Sequence, residues 1–86
     1  MDLEEGASIK KVSDFEVICD GKVTLRRLNS TFNTKIPEEE DVLAGYLLKE
    51  HNGFPEEGEM LERDQLAFEI LETKGRTISK VRIKKL

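Results

Sequence analysis

The spacing of apolar residues divides the chain into six predicted elements, beginning with a strand over residues 15–19. Alternate positions of this strand would share one inward face, formed by Phe15, Val17 and Cys19. A pattern of helical period follows, in which Thr24 is suited to cap the first turn and Asn33 to end the last. Its apolar stripe, which predicts an amphipathic helix, consists of Leu25, Leu28 and Phe32.

A second helix is predicted over residues 42–51, where apolar side chains surround most of the helix circumference. This distribution indicates a central helix that is covered on more than one side. Gly45 in its middle lowers helix propensity by about 1 kcal/mol relative to alanine, so we expect another backbone segment to approach closely there. Asn52-Gly53 is suited to end the helix, and Pro55 prevents it from resuming.

Three short strands complete the chain, over residues 59–62, 66–72 and 76–84, and tight turns join them. In the last strand Ile78 differs in parity from the two apolar residues that follow it, which predicts a bulge or a twist near Ser79-Lys80. The sequence therefore predicts an α+β domain, an antiparallel sheet with two helices, in the order β-α-α-β-β-β.

Charge is distributed unevenly along the 86 residues, whose net charge is -4. Residues 74–86 contain six Lys or Arg and no acid, so the remainder of the chain is strongly acidic. An acidic body argues against a nucleic-acid groove, which needs basic and aromatic residues on one face. In residues 79–84 the cations alternate with apolar residues, as on an edge strand whose wet face carries Lys80, Arg82 and Lys84.

Two further compositional features bear on location. The longest nearly unbroken apolar run, residues 42–48, is far shorter than the roughly 20 residues of a membrane-spanning helix, so no span is expected. The single cysteine cannot form an internal disulfide, and a small fold without such a crosslink suits a reducing compartment such as the cytosol.

Candidate chemistry is sparse, and no catalytic residue or metal ligand is assigned. Cys19 lies on the predicted inward face, where a thiol packs as a small apolar group, and His51 lies at a helix end, where a cation interacts well with the dipole. The acids of residues 38–41 precede the second helix, whose dipole favours negative charge there; divalent-cation binding is the alternative. The six glycines form no phosphate-binding motif.

Several segments, in their order and spacing, resemble the CorC/HlyC transporter-associated domain. The first are DGKVTLRRLN at residues 20–29 and IPEE at residues 36–39, and LAGYLL at residues 43–48 follows. The others are GFPEEGE at 53–59, LAFEIL at 66–71 and ISKVRI at 78–83. The resemblance assigns residues 12–86 to the domain and leaves residues 1–11 as a flexible N-terminal linker.

The resemblance implies a noncatalytic regulatory or interaction domain at the C-terminus of a CBS-containing, ion-transport-associated protein of the magnesium and cobalt efflux or hemolysin-like kind. Its implied partners are the CBS and membrane domains of the same parent protein, or a second copy in a homodimer, and its implied location is cytoplasmic. Lys80, Arg82 and Lys84 would form the interaction surface.

Two alternative functions stay open. The family fold is classed beside a subdomain of flavin-binding oxidases, so an FAD- or adenine-nucleotide-binding module is the first, although no cofactor is predicted from the residues. The second is a divalent-cation sensor that uses residues 38–41.

Overall fold

The computed structural model describes residues 7–86, which form five strands and two helices. In chain order these are β1 (Ile9–Ser13), β2 (Glu16–Asp20), α1 (Leu25–Phe32), α2 (Leu43–His51), β3 (Met60–Arg63), β4 (Leu66–Lys74) and β5 (Thr77–Lys85). The predicted α+β class, with two helices and an antiparallel sheet in the order β-α-α-β-β-β, is confirmed, and β1 is present in addition.

The sheet has the strand order β1-β2-β5-β4-β3, and every neighbouring pair is antiparallel. The last strand of the chain, β5, is therefore the central strand, and the prediction that it lies at an edge is wrong. The physical reason is a long-range pairing. β2 lies early in the sequence and β5 is the last strand, yet the two pair with each other, so that Cys19 lies opposite Val81. The basic residues of β5 consequently lie in the middle of the sheet.

Strand β1 was not expected, because its first residues fall within the predicted linker. Ile9 alone in this strand is half-buried and the other four residues are exposed, so the sequence carries no alternating apolar signal. The strand is held by backbone pairing with β2, where Ile9 lies opposite Cys19 and Lys11 opposite Val17. The linker prediction is thus corrected for residues 9–11, whereas residues 1–6 lie outside the described residues.

Both helices pack on the same face of the sheet and enclose one apolar core. The caps of α1 are as predicted: the Thr24 hydroxyl accepts a hydrogen bond from the Arg27 N–H, and Asn33 adopts a left-handed conformation with φ 57°. The core includes the predicted stripe of α1 and the inward residues of the sheet: Val17, Cys19, Leu25, Leu28, Phe32, Leu43, Leu47, Phe68, Ile70, Ile78, Val81 and Ile83.

The predicted bulge between the last two strands is confirmed. The register of β4 and β5 shifts around Glu72, which lies opposite Lys80, and this shift turns both Ile78 and Val81 into the core. The prediction for Phe15 is wrong, since its side chain is 66% exposed. Phe15 lies in the turn between β1 and β2 rather than within β2, so it escapes the alternation that buries Val17.

A close backbone approach exists, but at Gly21 rather than at Gly45. A β-carbon added to Gly21 would lie 1.9 Å from the carbonyl oxygen of Ile78, whereas at Gly45 the nearest atom is the Glu40 carboxylate at 3.3 Å. The expectation for Gly45 is therefore wrong, because a side chain rather than a backbone segment covers that part of α2. Gly21 joins β2 to the segment before α1, at a point where β5 and α2 converge.

The turn between β3 and β4 is fastened to α2 by a buried hydroxyl. Tyr46 donates a hydrogen bond to Asp64 Oδ2 at 2.5 Å, and Asp64 and Gln65 both adopt positive φ, as two-residue hairpin turns of this kind require. Burial, with the Asp64 carboxylate beside it, raises the pKa of the Tyr46 hydroxyl well above its usual range. The hydroxyl therefore keeps its proton and remains a donor to the turn.

Candidate interaction surface

The face of the sheet opposite the helices, which we call the outer sheet face, is open to solvent. One row of residues crosses all five strands on this face: Lys10, Ile18, Arg82, Glu69 and Met60. A second row contains Glu16, Lys84, Ala67 and Glu62. In a third row, Asp20 on β2 lies opposite Lys80 on β5. The structure thus brings the three predicted surface residues, Lys80, Arg82 and Lys84, to one face of one strand.

Arg82 is engaged within the domain. Its Nε lies 3.1 Å from Glu16 Oε2 on β2, and its Nη1 donates a hydrogen bond to Glu69 Oε1 on β4 at 3.2 Å. The Nε contact is an ion pair without hydrogen-bond alignment, and this nitrogen is shielded from solvent. Because two carboxylates flank its guanidinium, Arg82 fastens the three central strands together and offers little net charge to a partner.

Lys80 and Lys84 differ from Arg82 in both exposure and pairing. Both are exposed, and neither forms an ion pair within 4 Å among residues 7–86. They lie four residues apart on one strand, which separates their α-carbons by about 13 Å. Two cations therefore project from the outer sheet face, one on each side of the neutralised Arg82.

Sequence reasoning missed the two carboxylates that hold Arg82. Glu16 and Glu69 each occupy an outward position of a strand, which the alternation of apolar residues indicates. Their proximity to Arg82 depends on β5 lying between β2 and β4, and nothing in the local pattern reveals that order. The missing information is therefore the strand order.

Two of the four acids that precede α2 are held by separate partners within the domain. Glu38 accepts a hydrogen bond from the Asn29 side chain, and Glu39 pairs with Lys49 of α2 at 2.9 Å. The hydrogen bond and positive charge of Lys49 lower the pKa of the Glu39 carboxyl. Within residues 7–86 no group of three His, Cys, Asp or Glu is placed to share a metal ion. The divalent-cation alternative thus finds no assembled ligand set in this part of the chain.

An open groove of about 790 Å³ lies between α1 and the acidic segment. It is lined by Thr24, Arg26, Arg27, Ser30, Thr31, Glu38, Glu40 and Asp41. Arg27 directs its Nη1 to the carbonyl oxygen of Ala7, at 2.7 Å. The lining combines three carboxylates with two guanidinium groups, so its charges largely offset one another.

The single cysteine and the single histidine both have structural surroundings. Cys19 is buried in the core as predicted, and burial raises the pKa of its thiol to about 12, so the thiol stays protonated and unreactive. His51 in the last turn of α2 places Nε2 2.9 Å from Glu59 Oε1, which links the helix to the segment before β3. Neither helix of the described part is long and apolar enough to cross a membrane.

Comparison with known proteins places these features in a family. Residues 10–86 match the CorC_HlyC family model, described as a transporter associated domain, and the match begins two residues before the boundary predicted from the sequence. UPF0053 protein YhdT of Bacillus subtilis (strain 168) is 32% identical over 83 residues, which is 96% of this chain and 18% of that protein.

A second curated relative is the Magnesium and cobalt efflux protein CorC of Buchnera aphidicola subsp. Acyrthosiphon pisum (strain APS). It is 28% identical over 83 residues, which is 95% of this chain and 28% of that protein. The chain therefore spans less than a third of the length of either curated relative.

Solved structures show the same fold. A conserved protein of unknown function from Haemophilus influenzae Rd KW20 has a TM-score of 0.84 and 32% identity, with 92% of this chain and 99% of that chain covered. The transporter associated domain CorC_HlyC from Nitrosomonas europaea has a TM-score of 0.82 and 27% identity, with 91% and 95% covered. The present chain belongs to the CorC_HlyC family of transporter associated domains.

Proposed function

We propose that this domain is a noncatalytic regulatory and interaction domain at the C-terminal end of an ion-transport-associated protein that contains CBS domains. The observation that carries the proposal is the outer sheet face, which the helices leave open and from which Lys80 and Lys84 project. The family match and the name of the Buchnera relative, Magnesium and cobalt efflux protein CorC, support the ion-transport context. The parent protein would hold this domain on the cytoplasmic side of a membrane.

The partner that fits this surface is an acidic patch on the CBS or membrane domain of the same parent protein, with a second copy of this domain as the alternative. Charge complementarity of this kind guides docking and fixes its register. Ile18 and Met60 on the same face supply apolar contact area beside the charged residues. A nucleic-acid partner is disfavoured, because the acids of the outer sheet face and the net charge of -4 would repel phosphates.

Reversing both exposed cations is expected to weaken docking. The double variant Lys80→Glu/Lys84→Glu should lose roughly tenfold or more in affinity for the remainder of the parent protein, since like charges would then face the acidic patch. Isothermal titration calorimetry of the isolated domain against that remainder measures the change. Arg82 stays intact in this design, because its removal would leave Glu16 and Glu69 unpaired across the sheet.

The matched control is Lys22→Glu/Lys35→Glu, which changes the net charge by the same amount at two exposed positions outside the sheet. This control should bind as tightly as the unchanged domain. If the Lys80→Glu/Lys84→Glu variant is folded and binds as tightly as the unchanged domain, the outer sheet face is not the docking surface. If the control also loses affinity, the loss in both variants comes from the change in net charge rather than from the outer sheet face.

We also propose that the domain acts without FAD or an adenine nucleotide, in keeping with its six scattered glycines, which form no phosphate-binding motif. A ligand present at a hundredfold excess over its Kd stabilises a native protein by about 2.7 kcal/mol, which would raise the Tm of a domain of this size by roughly 10 °C or more. Differential scanning fluorimetry with FAD, ATP and AMP should show no such rise. A rise that saturates with ligand concentration would favour the nucleotide-binding alternative instead.

A further inference from the structure

The side chain of Asn52, the residue that ends helix α2, is free. The residue is exposed and adopts the left-handed conformation, with φ 62° and ψ 48°. Its backbone N–H donates to the carbonyl oxygens of Leu48 and Lys49, at 3.2 and 3.3 Å, whereas its carboxamide forms no hydrogen bond within residues 7–86. The carboxamide can therefore rotate, since nothing in the described part of the chain holds it.

Gly53 presents the peptide nitrogen that follows Asn52 without steric cover. This glycine is exposed, and a β-carbon built on it would have His51 Nδ1, at 4.0 Å, as its nearest neighbour outside the adjacent residues. The Gly53 N–H donates to the Leu48 carbonyl oxygen at 3.4 Å, beyond the usual range of such hydrogen bonds. The Gly53 nitrogen is thus weakly held and has no side chain beside it.

A free carboxamide can react with an open peptide nitrogen of the next residue. The Gly53 nitrogen gives up its proton to hydroxide and bonds to Asn52 Cγ, while the bond from Cγ to the amide nitrogen breaks and ammonia leaves with a proton from water. Water then opens the cyclic imide at either carbonyl carbon, which leaves aspartate or isoaspartate. Exposed helix ends open locally at little cost in free energy, so the backbone can rotate to bring the two atoms together.

The chain contains three asparagines, and the other two are less suited to this reaction. The Asn29 side chain forms four hydrogen bonds, two of them with the backbone of the buried Ile36. Asn33 is exposed and left-handed like Asn52, but the β-branched Thr34 follows it, and the Thr34 N–H donates to the Asn29 carbonyl oxygen at 3.1 Å. Among the three, Asn52 alone combines a free carboxamide with a following glycine.

We propose that Asn52 is a site of spontaneous deamidation, through an imide formed with the Gly53 nitrogen. Either product adds one negative charge, at the end of α2, to a chain of net charge -4. In isoaspartate the main chain runs through the former side chain and gains a methylene group, so the left-handed end of the helix cannot keep its geometry. The site lies at a helix end, away from the outer sheet face, and the inference is independent of the docking proposal.

Tryptic peptide mapping of the 86-residue chain, after incubation in warm and mildly alkaline buffer, tests the proposal. Trypsin releases Asn29 and Asn33 within residues 28–35 and Asn52 within residues 50–63, so mass spectrometry of one digest compares all three. Deamidated 50–63 should accumulate at least about tenfold faster than deamidated 28–35, a barrier difference of about 1.4 kcal/mol. It should separate by chromatography into aspartate and isoaspartate forms of equal mass, as opening of the imide at either carbonyl requires.

A variant and a denaturant provide the controls. Asn52→Gly removes the carboxamide and keeps a residue that readily adopts the left-handed conformation, so this variant should stay folded by circular dichroism and show no deamidated 50–63. Guanidinium chloride frees the Asn29 side chain from its hydrogen bonds, so deamidation of Asn29 should become faster on unfolding. The rate at Asn52 should change by less than about tenfold, because the native structure already leaves it free.

Two outcomes would overturn the proposal. The first is deamidation of the native chain that is equally fast in residues 28–35 and 50–63, or that is absent from residues 50–63. The second is a rate at Asn52 that rises on unfolding as steeply as the rate at Asn29, since the native structure would then protect both side chains alike.

Discussion

Gly21→Ala is expected to destabilise the domain by about 3 kcal/mol or more, because the new methyl group would overlap a backbone oxygen. The added β-carbon would lie 1.9 Å from the carbonyl oxygen of Ile78 and 2.9 Å from its carbonyl carbon. Neither atom belongs to a flexible side chain, so relief requires a shift of β5 itself. Urea unfolding followed by circular dichroism measures the loss as a lower midpoint concentration.

Hydrogen bonds explain why such a shift cannot be confined to one segment. The Gly21 N–H donates to the Ser79 carbonyl oxygen at 3.1 Å, and the Gly21 carbonyl oxygen accepts from the Ala44 N–H at 2.9 Å. The peptide groups on the two sides of this residue thus join β5 to the start of α2. Any movement that makes room for a methyl group weakens one of these hydrogen bonds.

Gly45→Ala is the matched control. It adds the same methyl group, but it is expected to raise the free energy of unfolding rather than lower it. The nearest atom to the new β-carbon is Glu40 Oε1 at 3.3 Å, at the free end of a side chain that can move. Alanine then stabilises the interior of α2 by up to about 1 kcal/mol relative to glycine. A Gly21→Ala domain that unfolds at the same urea concentration as the unchanged domain would contradict the close approach.

Asn29→Ala is expected to lower the free energy of unfolding by about 3 kcal/mol, since several hydrogen bonds at roughly 1 kcal/mol each would be lost. The side-chain amide donates to the Ile36 carbonyl oxygen at 2.9 Å and to Glu38 Oε2 at 3.0 Å. Its oxygen accepts from the Thr34 hydroxyl at 2.8 Å and from the Ile36 N–H at 2.9 Å. Asn29 therefore binds both backbone polar groups of a core residue.

The consequence extends to the position of the acidic segment before α2. Ile36 is 2% exposed and belongs to the core cluster. Its two hydrogen bonds with the Asn29 side chain therefore fix the path of the chain after α1. Ser30→Ala is the control, one residue later on the exposed side of α1, and should change stability by less than about 0.5 kcal/mol. Chemical denaturation of both variants provides the comparison. Equal stability of the two variants would refute the role given to Asn29.

The parts of the fold that the sequence predicts are those set by local patterns. The stripe of Leu25, Leu28 and Phe32 is buried as its spacing indicates, and Asn33 ends its helix in the left-handed conformation that asparagine tolerates. The bulge beside Ser79 follows from the parity of the flanking apolar residues. Each of these features depends on residues within one or two turns of each other.

The parts that the sequence does not predict depend on long-range contacts or on backbone pairing. Strand β1 has four exposed residues of five and is held by pairing with β2, so no side-chain pattern reveals it. The central position of β5 follows from its pairing with β2, far earlier in the chain. The sequence predicts one surface for the three basic residues. It does not reveal the pairing of Arg82 with Glu16 and Glu69, because that pairing depends on the strand order.

The central claim is that this domain acts by docking through the outer sheet face, and amide chemical-shift mapping tests it most directly. Isotope-labelled domain would be titrated with the remainder of the parent protein while the amide resonances are followed. We expect the perturbed amides to concentrate in β5 around Lys80 and Lys84 and in the adjoining residues of β2 and β4. Perturbations confined to α1 and the open groove beside it, with the amides of the outer sheet face unchanged, would contradict this claim.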